Sequence, residues 1–335
     1  MRVGIAGTGF MGTAHAAAWS QTGAKIQGFT AETMQEAEPL ALQYGGVVYK
    51  DLPAMLRDVD VVDICTPTHL HPEMVHQAAE AGKQIICEKP LALTVEEGQA
   101  MLAACRRAGV RLFVAHVVRF FPEYAQAKAS VEQGEIGRPG VLRLARGSYR
   151  PKKPVGNWFL DEAKSGGILM DLMIHDFDYA RWVAGEVESV YAKKISSLHA
   201  GAPVDYALAI LKHTGGALSH IAGAWAYPPP TFRTHLEIAG EGGLIEFDSQ
   251  ETAPIQQLLA RPAGDAPDVA VPSSPTLESP YTTQIKEFYA ALQDGSPARV
   301  SAIDGLAAVQ IALAARRSVE SGQAVRLEPL EEVRA

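Results

Sequence analysis

Cysteine is scarce in this chain, with three residues among 335: Cys65, Cys87 and Cys105. Their number is odd, their spacing wide, and no CxxC pair occurs. That excludes a disulfide framework and a zinc-finger pattern, and it leaves reduced thiols in a cytoplasmic setting as the expectation. Long apolar runs are missing too. No stretch reaches the ~18 residues that a membrane-crossing helix needs, so no membrane partner is expected. The formal net charge of −8 is spread without acidic or basic blocks, which argues against nucleic acid as a partner. Neither an internal repeat nor a low-complexity tract is present. What remains is the composition of an ordinary globular protein, 47% hydrophobic and 20% charged. The length suits about two domains.

The chain opens on a short apolar strand, Arg2 to Ala6, rather than on a signal peptide. Gly7-Thr8-Gly9-Phe10-Met11-Gly12 follows, then a helical run from Thr13 to Gln21. A GxGxxG that leaves a strand and opens a helix is the dinucleotide fingerprint in its required context. Gly7 makes the tight turn, Gly9 lets a pyrophosphate approach the backbone, and Gly12 lets helix pack on strand. The helix N-terminus offers N–H groups to the phosphates. A second strand, Lys25 to Phe29, ends at Thr30-Ala31-Glu32. An acid here would hold a ribose 2′-OH and an arginine would take a 2′-phosphate. Glu32 tilts the choice between NAD and NADP toward NAD.

Strands and helices keep alternating: Val47–Tyr49, Leu52–Arg57, Asp60–Cys65, Glu73–Ala81, Gln84–Cys87, Val95–Arg107 and Arg111–His116. This is the pattern of a doubly wound parallel sheet, whose ligands sit at the carboxyl ends of its strands. His69 and His71 lie at one such end. No third ligand accompanies them, so loop packing or helix capping is expected and no metal. Glu88-Lys89-Pro90 lies at another. A lysine there can stabilise a developing alkoxide, and the proline rigidifies the turn that aims it, in a context where cis peptides occur.

Beyond Gly140 the pattern changes. Val141–Gly147, Val187–Ile195, Tyr206–Lys212, Ala217–Ala226, His235–Ala239 and Leu244–Phe247 read as strands with short connections, hence a mostly antiparallel sheet. Arg261 to Pro280 reads as a loop, and Ile285–Leu292 and Ile303–Ser318 as helices. The expected architecture is a Rossmann domain over 1–118 followed by an α+β domain over 119–335 with a large, mostly antiparallel sheet. Tyr149, Asn157, Trp158, Asp205 and Arg233 are candidates to line a polyol pocket, Trp158 by stacking on a sugar face.

One stretch organises the second half: Ser165-Gly166-Gly167 and the run to Asp178. Its apolar residues have helical spacing. On one continuous helix Asp171 and His175, four apart, share a face, and Asp178 joins them. A half-buried Asp–His pair suits general acid–base chemistry, because the carboxylate orients the imidazole and tunes it near neutrality.

The motifs stand in a telling order: Gly7-x-Gly9-x-x-Gly12; Thr66-Pro67 with His71; Glu88-Lys89-Pro90; Arg119-Phe120 with Pro122; and Gly166-Gly167 leading to Asp171, His175, Asp176 and Asp178. Over nearly the whole chain this set resembles the Gfo/Idh/MocA oxidoreductase family, and around 165–195 its inositol 2-dehydrogenases. The resemblance implies an NAD(P)-dependent dehydrogenase of a polyol or sugar. It implies Lys89, Asp171 and His175 as catalytic residues. Gly7, Gly9, Phe10, Met11, Gly12, Thr30, Thr66, Pro67, His71, Glu88 and Lys89 would bind cofactor. Lys89, Arg119, Asn157, Trp158, Asp171 and His175 would bind substrate. It also implies a homodimer or homotetramer through the second sheet. The alternatives are an NAD-dependent glycoside hydrolase of the same family, a non-catalytic dinucleotide sensor, and a reductase of sugar-like ketones, the same chemistry run backward.

Overall fold

The computed structural model describes residues 1–151, 158–197, 204–250 and 278–330. The chain falls into two compact units. Among the described residues, the first holds 1–121 and 278–309, the second 122–250 and 310–330. The segment 278–309, expected with the second domain, therefore belongs to the first unit. Its apolar helix faces are what bring it there, as shown below.

The first unit begins with β1 (Arg2–Ala6), α1 (Phe10–Trp19), β2 (Lys25–Thr30), α2 (Met34–Tyr44), β3 (Val47–Val48), α3 (Leu52–Leu56), β4 (Val61–Ile64), α4 (His71–Glu80), β5 (Gln84–Glu88), α5 (Val95–Ala108) and β6 (Leu112–Ala115). The strands form one parallel sheet in the order β3-β2-β1-β4-β5-β6, with the switch point between β1 and β4. All four residues of β4 and of β6 are buried, as strands covered on both faces must be. The expected strands and helices are present. The sequence reading passed over α2, which carries Pro39 at its sixth position.

The second unit holds α6 (Pro122–Glu132), β7 (Pro139–Ser148), α7 (Glu162–Ser165), α8 (Gly167–Asp171), α9 (Ile174–Ala184), β8 (Val187–Ser197), β9 (Val204–His213), β10 (Leu218–Trp225), β11 (Phe232–Gly240) and β12 (Leu244–Asp248). Then α10 (Pro280–Asp294) packs in the first unit. The residues of α11 (Ala302–Ser321) are shared between the two units, and β13 (Val325–Arg326) closes the second sheet. That sheet runs β12-β11-β7-β10-β9-β8-β13, antiparallel at every pairing except β7 with β10. The turn expected at Gly201-Ala202-Pro203 and most of the Arg261–Pro280 loop lie outside the described residues; Pro280 itself opens α10.

In the first unit, α10 covers the ground beside β6. Phe288 stacks on Phe113 at 5.0 Å between ring centres, Tyr289 meets the edge of Trp19, and the Arg111 guanidinium donates to the Ala291 and Ser296 carbonyls. In the second unit α8 and α9 lie on one face of the sheet. Met173 is seated over Gly223, where an added Cβ would lie 2.4 Å from its Cγ.

One expectation is corrected here. The stretch from Gly167 to Ala184 is not one helix: α8 ends at Asp171 and α9 starts at Ile174. The Ile168 carbonyl accepts from both Leu172 and Met173, at 3.1 and 3.0 Å, so the chain turns wide before restarting. Asp171 and His175 therefore flank a break, and the four-residue face rule of a continuous helix does not relate them. What fixes the start of α9 is a buried fork. Arg146 on β7 donates through both sides of its guanidinium to Asp176, at 2.8 and 2.9 Å, with both side chains almost fully buried. Burial alone would lower the Arg146 pKa, but Asp176 and Tyr124 outweigh it and push it up. Replacing Arg146 with Met strands the Asp176 carboxylate. It should cost about 3–5 kcal/mol in chemical denaturation, most of which Arg146→Met/Asp176→Leu recovers. An Arg146→Met protein with the parent midpoint would show that the fork does not hold α9.

Candidate active site

The fingerprint turn gives each of its glycines a separate physical reason. Gly7 has φ +93, in the left-handed region, and a Cβ there would meet the Cys65 carbonyl at 2.5 Å. At Gly12 a Cβ would lie 1.9 Å from the Gly7 carbonyl oxygen, so only glycine lets α1 start against this turn. Gly9 is different. Nothing lies within 4 Å of a Cβ built on it, and its φ of −73 suits any residue. Among the described residues no side chain caps α1, so its first N–H groups face the space above Gly9. That space is a cradle for an anionic group at a helix N-terminus, and it fits a dinucleotide pyrophosphate. Phe10 and Met11, expected at the cofactor, open α1, with Phe10 exposed and Met11 half-buried.

Other expected cofactor residues gather at the carboxyl ends of β2, β4 and β5. Thr30 is buried at the end of β2, and its carbonyl accepts from the Gly7 N–H at 2.8 Å. Thr66 and Pro67 follow β4, half-buried. His71 is fully buried with its ring nitrogens 2.9 Å from the Thr66 carbonyl and 2.8 Å from that of Pro90. The ring thereby brackets the two loops that follow β4 and β5. Glu88 is buried at the end of β5 and accepts from the Lys89 N–H at 3.1 Å. Lys89 is half-buried, and its peptide to Pro90 is cis.

The expected substrate residues divide. Arg119, expected at the substrate, sits in the turn after β6. It is 1% exposed in the first unit, donates to the Arg299 carbonyl at 2.9 Å, and lies 3.4 Å from Asp304. These contacts tie the turn after β6 to the segment that opens α11. In the second unit Asp171 is buried at the end of α8, and His175 is half-buried in the first turn of α9. Asp178 is buried on the same helix. Trp158 is half-buried with one ring face stacked on Phe159, 4.0 Å between centres. Asn157 lies outside the described residues. Tyr149 is buried, and Asp205 accepts from the Ser196 hydroxyl at 2.6 Å; Arg233 is half-buried.

Sequence reasoning missed a buried polar group under the fingerprint helix: His15, Trp19, Asp63 and Cys65, with Glu88 beside it. Its signal was there in Asp63, a single charge inside the fully buried strand VVDI, which needs partners.

Parallel sheet, switch point, glycine turn and open helix N-terminus define a dinucleotide-binding oxidoreductase fold. Residues 1–116 match the family model described as oxidoreductase family, NAD-binding Rossmann fold, and residues 124–246 match the GFO/IDH/MocA C-terminal domain. The chain belongs to the Gfo/Idh/MocA family. It is 31% identical to a myo-inositol 2-dehydrogenase of Thermotoga maritima, across 98% of this chain and 99% of that one. It is 30% identical to a scyllo-inositol 2-dehydrogenase (NAD(+)) of Bacillus subtilis, across 98% and 96%. Among solved structures, levoglucosan dehydrogenase in complex with NADH superposes with a TM-score of 0.84 at 26% identity, covering 98% of this chain and all of that one.

The glycine geometry separates folding from binding. Gly12→Ala should lose about 1–3 kcal/mol or more by overpacking, read as a lowered Tm. Gly9→Val should keep the parent Tm while NADH binding, followed by fluorescence, weakens. Equal NADH affinity in Gly9→Val and the parent would move the pyrophosphate away from this turn.

Proposed function

We propose that the protein is an NAD-dependent dehydrogenase that oxidises a hydroxyl of a polyol or cyclic sugar. The observation that carries the reading is the open cradle over Gly9, in a chain that also holds Lys89 at a strand end and Asp171 and His175 about a helix break. The names of relatives, inositol and levoglucosan dehydrogenases, support the substrate class. Bound NAD supplies the hydride acceptor. His175 takes the proton of the reacting hydroxyl, and Asp171 orients His175 or accepts from a neighbouring hydroxyl. Lys89 stabilises the oxygen as negative charge builds. A site of polar groups favours a polyhydroxylated substrate, since a plain alcohol would leave those groups unpaired. NAD is chosen over NADP because Glu32, exposed just past β2, is an acid where a ribose 2′-OH would lie.

The assembly we propose is a homodimer or homotetramer through the open face of the second sheet. Tyr191, Ile195, Tyr206, Ile210, Leu218 and Leu244 are all exposed, and Tyr191 pairs with Ile210 and Ile195 with Tyr206 across β8 and β9. An apolar patch of this kind, closed by a two-fold axis, is an interface rather than a solvent face.

The first test is reduced-nicotinamide absorbance with NAD and NADP separately over a panel of inositols, aldoses and anhydrosugars. His175→Ala should lower kcat by about 10²–10⁴ while NADH still binds. Full turnover in that variant would remove His175 from the chemistry. Ile195→Asp with Ile210→Asp should shift sedimentation to the monomer; an unchanged profile would place the interface elsewhere.

A further inference from the structure

His15 stands in the middle of α1, fully buried, with a carboxylate on each side. Its Nδ1 lies 2.9 Å from Asp63 Oδ2 and 3.1 Å from Oδ1. Asp63 also accepts from the Trp19 indole N–H at 2.7 Å and from the Cys65 thiol at 3.6 Å, so it is an ionised carboxylate with its acceptor positions used. The opposite ring nitrogen lies 3.1 Å from Glu88 Oε1. That contact is off the line of a hydrogen bond, so it is an ion-pair contact rather than a directional one. The other Glu88 oxygen accepts from the backbone N–H of Lys89.

The charge state follows from these contacts. A neutral ring with its proton on Nδ1 would leave an unprotonated Nε2 3.1 Å from a Glu88 carboxylate oxygen, acceptor against acceptor in a buried site. Two buried carboxylates without a cation between them would be costlier still. The cation removes both conflicts. Burial alone would lower the imidazole pKa, but the Asp63 charge and the Nδ1 contacts to Asp63 and to the Cys65 sulfur outweigh it and hold it well above the ordinary value. The thiol stays protonated, pushed up by burial and by Asp63. His15, Asp63 and Cys65 also have the chemistry of metal ligands, yet they stand at hydrogen-bonding distances and satisfy one another.

We propose that His15 is a positioning residue: an imidazolium anchored by Asp63 that holds the Glu88 carboxylate, and through it the Lys89 backbone, in register with the fingerprint helix. The helix that receives the coenzyme and the strand end that carries the lysine are thereby one electrostatic piece, joined across β4. The proposal rests on the role assigned to Lys89 above.

The experiment uses the full chain with His15→Gln, Asp63→Asn and Lys89→Ala. The probes are NADH for binding and, for turnover, the panel polyol that the parent converts fastest. We expect His15→Gln to lose at least tenfold in kcat, the scale of a reacting group displaced by a fraction of an ångström to an ångström. NADH should still bind one per chain, with Kd and the KM for NAD within twofold. Retained stoichiometry separates misplacement from a loss of folded protein. Asp63→Asn supplies the same test should His15→Gln fail to fold. In ¹⁵N-histidine spectra of the parent, both His15 ring nitrogens should carry protons from pH 6 to 9. A neutral His15 at pH 7 overturns the proposal without reference to activity. So does parent-like kcat in His15→Gln or Asp63→Asn when Lys89→Ala has lost turnover. Parent-like kcat in Lys89→Ala would instead refute the role given to Lys89, and the link from His15 to catalysis with it.

Discussion

The contact on which the first unit depends is the approach of α1 to the turn that precedes it. The 1.9 Å that an added Cβ at Gly12 would leave to the Gly7 carbonyl admits no side chain at all. Because α1 starts this close, its buried face can reach across the sheet. His15 and Trp19, four residues apart on one side of the helix, both meet Asp63 on β4. A helix held farther out could not place an imidazole between β4 and the end of β5. The missing side chain at Gly12 and the buried charges at His15, Asp63 and Glu88 are thus two parts of one packing solution.

The second unit solves a different problem. Its helices must present polar groups while covering an apolar sheet face, and they do so by breaking. With α8 stopping at Asp171 and α9 restarting at Ile174, Met173 is free to seat on Gly223, while Arg146 grips Asp176 from below. His175 lies between those two anchors, next in sequence to the gripped carboxylate. Its ring is carried by a helix turn that is held on one side by dispersion and on the other by a bidentate charge pair.

Much of this was legible in the sequence. The GxGxxG turn, the alternation of buried strands with helices, and all six strands of the second sheet's body could be read from spacing alone, because each follows from local sterics or from one-sided burial. The helix break could not. Leu172-Met173-Ile174 contains no glycine or proline, and the interruption comes from packing on the sheet, which overrides propensity. The return of 278–309 to the first unit was equally hidden: the apolar face of α10 fits any core, and partners far off in sequence, Phe113, Trp19 and Arg111 among them, decide which. Arg119 sat in a family motif but is fixed by Arg299 and Asp304, partners some 180 residues away that spacing does not reveal. His71 read as a loop-packing histidine and, by resemblance, as a cofactor residue; the two carbonyls that hold its ring, of Thr66 and Pro90, come from separate loops that spacing does not bring together.

The discontinuity of the first unit bears on how the protein is made. Synthesis delivers residues 1–121 first, ending on β6, the edge strand of the parallel sheet. The rings that cover it come more than 160 residues later: Phe288 stacks on Phe113, and Val114 packs where Gly305 leaves room. Until that segment leaves the ribosome, the apolar side chains of Phe113 and Val114 lack the groups that cover them, the kind of surface chaperones protect. The first unit to be translated is therefore among the last parts of the molecule to be finished.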